Sequence, residues 1–235
     1  MTTTTFWILE TQRTAYSLGV SPAGRLIHTY WGPKLPYRED YPIPQESREW
    51  ASFNHPEQLT PEEYPAYGDY KFIDPCLKVT FPDGTRDLVL RFDHAEQDAQ
   101  QLQIVLKDTH YALNVVLIYQ VHPSLDLITR SIRLENQTDA PITVERVFSA
   151  QWHVPQGDGY HLSHLTGRWI DEWHLQREPI YQGIKRIESR RLTTSHHHQP
   201  WFAIDRGHAD EDRGEVWFGV LEWSGNWQIA IESDI

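Results

Sequence analysis

Apolar side chains along this chain recur mostly at every second position, the spacing of a strand with one buried face. The clearest case is Tyr111, Leu113, Val115, Leu117, Tyr119 and Val121, an unbroken alternate set that predicts one long strand. Ile128, Arg130, Ile132 and Leu134 form the next row, and Ile142, Val144, Arg146 and Phe148 follow the turn Asn136-Gln137-Thr138-Asp139. Upstream, 76–81 and 87–92 flank Pro82-Asp83-Gly84-Thr85, which predicts a hairpin because Asp-Gly accepts positive φ. Near the end, 215–223 and 227–231 bracket another tight turn, Ser224-Gly225-Asn226.

Helical patterns are scarce. Thr60-Pro61-Glu62-Glu63 has the composition of a capped first helical turn, which Pro65 would stop at once. The stretch 33–65 is proline-rich and lacks periodicity, so it reads as a long surface excursion with short helical turns. With no internal repeat and no linker, the pattern predicts an all-β fold. That fold is a large antiparallel β-sandwich, 1–235, forming a single domain.

Composition narrows the partners. The formal net charge is −12, which disfavours nucleic acid and anionic membrane surfaces. The chain has no apolar run long enough to span a bilayer, and its start shows neither a basic leader nor an apolar signal core. One cysteine, Cys76, cannot form an internal disulfide, so a reducing, cytoplasmic location is expected. Ten Trp, eleven Tyr and eight Phe are enough to fill a core and still leave faces on which sugar C–H groups can stack.

Several segments, in order, resemble the amino-terminal domain of glycoside hydrolase family 36, chiefly α-galactosidases. They are Thr14-Ala15-Tyr16-Ser17-Leu18 with Gly24–Gly32, Glu63-Tyr64-Pro65-Ala66-Tyr67-Gly68, and Leu127-Ile128-Thr129-Arg130-Ser131. Leu165-Thr166-Gly167-Arg168-Trp169 and Ser224-Gly225-Asn226-Trp227 complete the set. The resemblance implies a β-supersandwich packed on a catalytic (β/α)₈ barrel, and hydrolysis of terminal α-galactosides with retention. The barrel's K-W-D and S-C-x-x-G-G-G-R-x-D motifs do not occur here, and a barrel alone needs about 250 residues. Retaining hydrolysis needs two carboxyl groups set across the sugar. No motif nominates such a pair, so no catalytic residue is assigned. Ser233-Asp234-Ile235 follows a predicted strand with no polar tail, as at a cut inside a longer protein. Two departures stand out. Ile170-Asp171-Glu172 follows the Leu-x-Gly-x-Trp element where the family usually has Arg-Glu, and 70–75 replaces its D-F-R-x-P-A run.

By that resemblance Trp169 walls a galactose pocket, often that of a neighbouring subunit; otherwise it is one more core or interface tryptophan. The resemblance also implies an acidic substrate contact from the long loop. Glu39, Asp40, Glu46 and Glu49 are eligible; Glu46 and Asp40 are chosen, against the alternative of solvated loop carboxylates. His196-His197-His198 invites a metal reading. Consecutive strand residues point to alternating faces, however, and no further ligand completes a set, so no metal is assigned. His161 and His164 would share an ion only on a helix. Arg130, Glu135, Asp139, Glu145 and Arg146 read as solvated strand faces and exposed pairs.

The expected function is therefore that of a non-catalytic domain of an α-galactosidase, without cofactor. It would pack on the barrel of the parent chain, build interfaces in a homo-oligomer and lend Trp169 to the binding of a galactose-containing oligosaccharide. A free-standing carbohydrate-binding module and a purely structural domain are the alternatives.

Overall fold

In a computed structural model of the protein, residues 5–47 and 60–233 are described. They form fifteen strands and two single 3-10 turns. The chain divides into two compact units, Met1–Pro155 and Gln156–Ile235.

The first unit holds three antiparallel sheets. β1 (Phe6–Glu10), β2 (Thr14–Val20) and β3 (Leu26–Pro33) form one. β4 (Leu77–Thr80) pairs with β9 (Thr143–Val147). β5 (Leu90–Gln97), β6 (Gln101–Asp108), β7 (Leu113–His122) and β8 (Leu127–Asn136) run as a four-stranded meander. One hydrophobic cluster joins all three sheets, with Tyr16 and Leu18 from the first, Leu77 and Val79 from the second, and Ile104 and Leu117 from the third. Sheets packed on a shared core in this way agree with the predicted all-β sandwich class.

The period-two rows fall in register. Ile104 faces Leu117, which faces Ile132; Leu102 faces Tyr119, which faces Arg130. Tyr111 precedes the strand. Asp108 accepts the N–H groups of His110 and Tyr111 and turns the chain there, and the Tyr111 ring stacks on Phe81 at 3.7 Å.

Two local readings need correction. The 82–85 turn forms, with Gly84 at φ +86° and its N–H donating to the Phe81 carbonyl. Its arms do not pair, because Tyr67 is wedged between them: the Tyr67 N–H donates to Leu77 O, and the Leu88 N–H donates to Tyr67 O. The second correction concerns 60–63, which is extended rather than helical. Glu62 bridges Ile27, and the Glu63 N–H donates to Leu26 O, so this segment lies along β3.

The second unit contains β10 (His161–Arg168), β11 (Asp171–Pro179), β13 (His198–Asp205) and β14 (Val216–Val220) in the order β11-β10-β13-β14. β12 (Gly183–Ser189) pairs with β15 (Trp227–Ser233). Leu162, Ile204 and Ile231 form its core. The 224–226 turn thus connects strands of different sheets. Among the described residues no helix is long and apolar enough to cross a membrane.

Candidate functional site

Trp169 and Ile170 form the two-residue tip of the β10–β11 hairpin, between the paired Arg168 and Asp171. Both are exposed, Trp169 at 75% and Ile170 at 83%. An indole held this open is neither core nor filler. Local chemistry sets the tip. Ile170 lies in the left-handed region at φ +69°, and its N–H donates to Glu172 Oε1 at 3.1 Å. Arg168 Nε donates to Asp171 Oδ2 at 3.1 Å, and His174 pairs with the other oxygen at 2.6 Å. The acid at 172 therefore has a backbone task in this turn. Gly167 sits in the bulge before Trp169, where a Cβ would lie 2.6 Å from the Glu172 Cα. Glycine is needed there because two backbones approach.

Of the loop acids, Asp40 ends the 3-10 turn Arg38–Asp40, is exposed, and accepts the Tyr37 N–H at 3.3 Å. Glu46 is half-buried and accepts the Ser21 hydroxyl at 2.8 Å. Glu39 is exposed beside Asp40, and Glu49 lies outside the described residues. A cleft of about 310 Å³ opens beside the 3-10 turn, lined by Glu10, Lys34, Tyr37 and Arg38 among others, but by neither Asp40 nor Glu46.

Two of the charges read from the sequence as solvated, Arg130 and Arg146, are paired and covered. Arg130 is not a surface residue: its side chain and that of Glu63 are both 0% exposed and pair at 2.7 Å. Tyr16 and Tyr119 donate their hydroxyls to the same carboxylate at 2.8 and 2.7 Å. The Arg130 guanidinium also lies over the Tyr119 and Trp152 rings, 5.0 and 5.4 Å from their centroids. Burial and the neighbouring Glu63 charge hold both tyrosine hydroxyls well above their ordinary value, so they remain donors. For Tyr119 the Arg130 charge opposes that shift without reversing it.

Beside them His28 and His153 stack at 5.3 Å, and burial followed by nearby positive charge keeps His28 well below the usual imidazole range. His153 is lowered chiefly by burial. The adjacent Glu62 points the other way, to Arg25 at 3.4 Å and Lys71 at 2.8 Å. Extended backbone explains this, since successive side chains take opposite faces. Each acid is buried against its own cations, Glu62 with Arg25 and Lys71 and Glu63 with Arg130. Arg146 is also not a free surface charge: it pairs with Asp74 at 2.6 Å, both largely covered. Position offered one clue, because Arg130 falls within an apolar row.

His196 and His197 lie in a turn, not a strand, with rings 4.5 Å apart; only His198 enters β13, 5.9 Å from His164. The alternating-face argument therefore fails for the first two. His164, on β10, pairs with Glu178 at 3.1 Å. Among the described residues no group of three His, Cys, Asp or Glu is placed to hold a metal ion.

Comparison with known proteins gives a consistent result. The family model "Glycosyl hydrolase family 36 N-terminal domain" matches residues 24–235. The chain is 31% identical to α-galactosidase AgaA of Geobacillus stearothermophilus, over 96% of this chain and 34% of that protein. It is 28% identical to α-galactosidase Mel36A of Lactobacillus acidophilus, again over 96% and 34%. The crystal structure of AgaA superposes with a TM-score of 0.89 at 29% identity, covering 97% of this chain and 35% of AgaA. An AgaA variant has been crystallised with raffinose. The chain thus spans about a third of the length of these relatives.

Proposed function

We infer the function of this chain from one premise: it belongs to the glycosyl hydrolase family 36 N-terminal domain family. It works as the non-catalytic amino-terminal domain of a longer α-galactosidase. Both units together make up that domain, which packs on the parent's catalytic barrel, builds subunit interfaces in a homo-oligomer and lends Trp169 to a galactose pocket. The parent reaction is retaining hydrolysis of terminal α-galactosides, and its substrates are galactose-containing oligosaccharides of the raffinose type. The cytoplasm suits such a protein. Cys76 is buried, and burial pushes its thiol up to about 12, so it stays protonated and unreactive.

One observation carries this reading: a tryptophan presented openly at a hairpin tip whose turn is pinned on both sides by side-chain bonds. An indole face covers the apolar C–H patch of galactose at small entropic cost. Among the loop acids Glu46 and Asp40 are assigned as sugar contacts, each with one oxygen already engaged, Glu46 by the Ser21 hydroxyl and Asp40 by the Tyr37 N–H.

Kinetics of Trp169→Ala in the full-length protein test the proposal. Loss of one stacked ring should lower kcat/KM on an α-galactoside by roughly tenfold, about 1.4 kcal/mol. Unchanged kinetics with an altered oligomer size would instead assign Trp169 to assembly alone.

A further inference from the structure

The four-stranded sheets of this chain protect their edges unequally. β11, β5 and β8 carry charged residues along their length, among them Glu172 and Arg177, Asp93 and Glu96, and Arg133 and Glu135. Charge on an edge discourages pairing with a foreign strand. β14, Val216-Trp217-Phe218-Gly219-Val220, has none.

Its side chains divide by face. Trp217 is buried, whereas Val216, Phe218 and Val220 are 49%, 49% and 65% exposed. The backbone follows the same division. The Leu221 N–H donates to Pro200 O, so Leu221, Gly219 and Trp217 are the positions bonded to β13. Val216, Phe218 and Val220 therefore turn their N–H and C=O groups outward, and among the described residues no strand pairs with that side. Apolar side chains and unpaired backbone coincide at the same three residues.

We propose that β14 is a self-pairing edge, which joins antiparallel to the β14 of a second copy of this chain about a two-fold axis at Phe218. The segment is its own complement. With Phe218 on the axis, Val216 faces the copy's Val220, and every outward N–H and C=O of the three residues meets a mate. The acids that bracket the strand do not oppose each other: Glu215 would face Leu221, and Glu222 would face Gly214. A shift of one residue would bring the groups already bonded to β13 to the junction and leave the outward ones unmatched. The inference rests on the homo-oligomeric assembly proposed above and assigns it a surface.

Sedimentation of the 235-residue chain across a range of concentrations tests it, beside Phe218→Lys and Val220→Pro. The lysine places charge on the axis. The proline deletes an outward N–H and leaves the bonds to β13 intact, a position where edge strands accept proline. The wild type should run at twice the chain mass when concentrated, and each variant at the chain mass, with its dissociation constant raised by roughly 100-fold or more. Far-UV circular dichroism checks that each variant is folded; should Phe218→Lys unfold, Val220→Pro decides. A monomeric wild type overturns both the edge and the self-association. Variants that dimerise like the wild type overturn the edge alone and leave the assembly reading standing. Slow amide exchange at Phe218 in the dilute, monomeric chain would show the edge covered from within, and also overturns the proposal.

Discussion

Glu63 has three donors around one carboxylate: Tyr16, Tyr119 and Arg130. None of the four side chains can be lost quietly. Burying a guanidinium costs several kcal/mol, which only a matched anion offsets, so removing the anion is worse than never having had the pair. Glu63→Gln should destabilise the first unit by about 3–5 kcal/mol, read as a lower urea midpoint. A cost under about 1 kcal/mol would mean that Arg130 finds solvent. The adjacent histidines add a pH dependence. His28 and His153 are held below the unfolded value of about 6.5, so both states are neutral above that pH and stability is full there. As pH falls below about 6.5 the unfolded chain takes up protons that the folded one refuses. Stability then drops, by up to about 1.4 kcal/mol per pH unit for each histidine, until the lowered folded values are reached. Depressed carboxylates such as Asp93 and Asp126 act only lower, below about pH 4. Unfolding midpoints between pH 7.5 and 5 should therefore slope downward, and His28→Asn should flatten the slope. A flat wild-type profile would count against neutral buried imidazoles.

At the level of elements, turns formed where their residues require them, but pairing followed the hydrogen-bond inventory. The Asp-Gly turn is local chemistry and appears as expected. Whether its arms pair depends on Tyr67, which lies upstream of both Leu77 and Leu88, the residues it bonds, and no short window of sequence reveals that wedge. The β10–β11 hairpin is the opposite case, because its tip is built from neighbours: Arg168, Asp171, Glu172 and the close approach at Gly167. That is why the Trp169 element could be recognised as a unit in the sequence.

At the level of the whole chain, the role proposed for Trp169 is that of a wall and not of a pocket. A ring stacked on galactose leaves the sugar hydroxyls to water, so calorimetry on the 235-residue chain should find binding no tighter than about millimolar. Micromolar binding would favour a self-contained carbohydrate-binding module. The all-β class and the rows of β7 and β8 were readable from one sequence, because a two-residue period follows from backbone geometry alone; β6 and β10 to β13 were not named by that period. The loop position of Trp169 was readable through its motif. The fate of the charges was not. Arg130 sits between Ile128 and Ile132 and looks like a solvated interruption of an apolar row, until the segment around Glu63 is folded against it. A charge is stable inside only if its counter-charge arrives from elsewhere in the chain. That meeting, across 67 positions, belongs to the packing of the sheets and not to any local pattern.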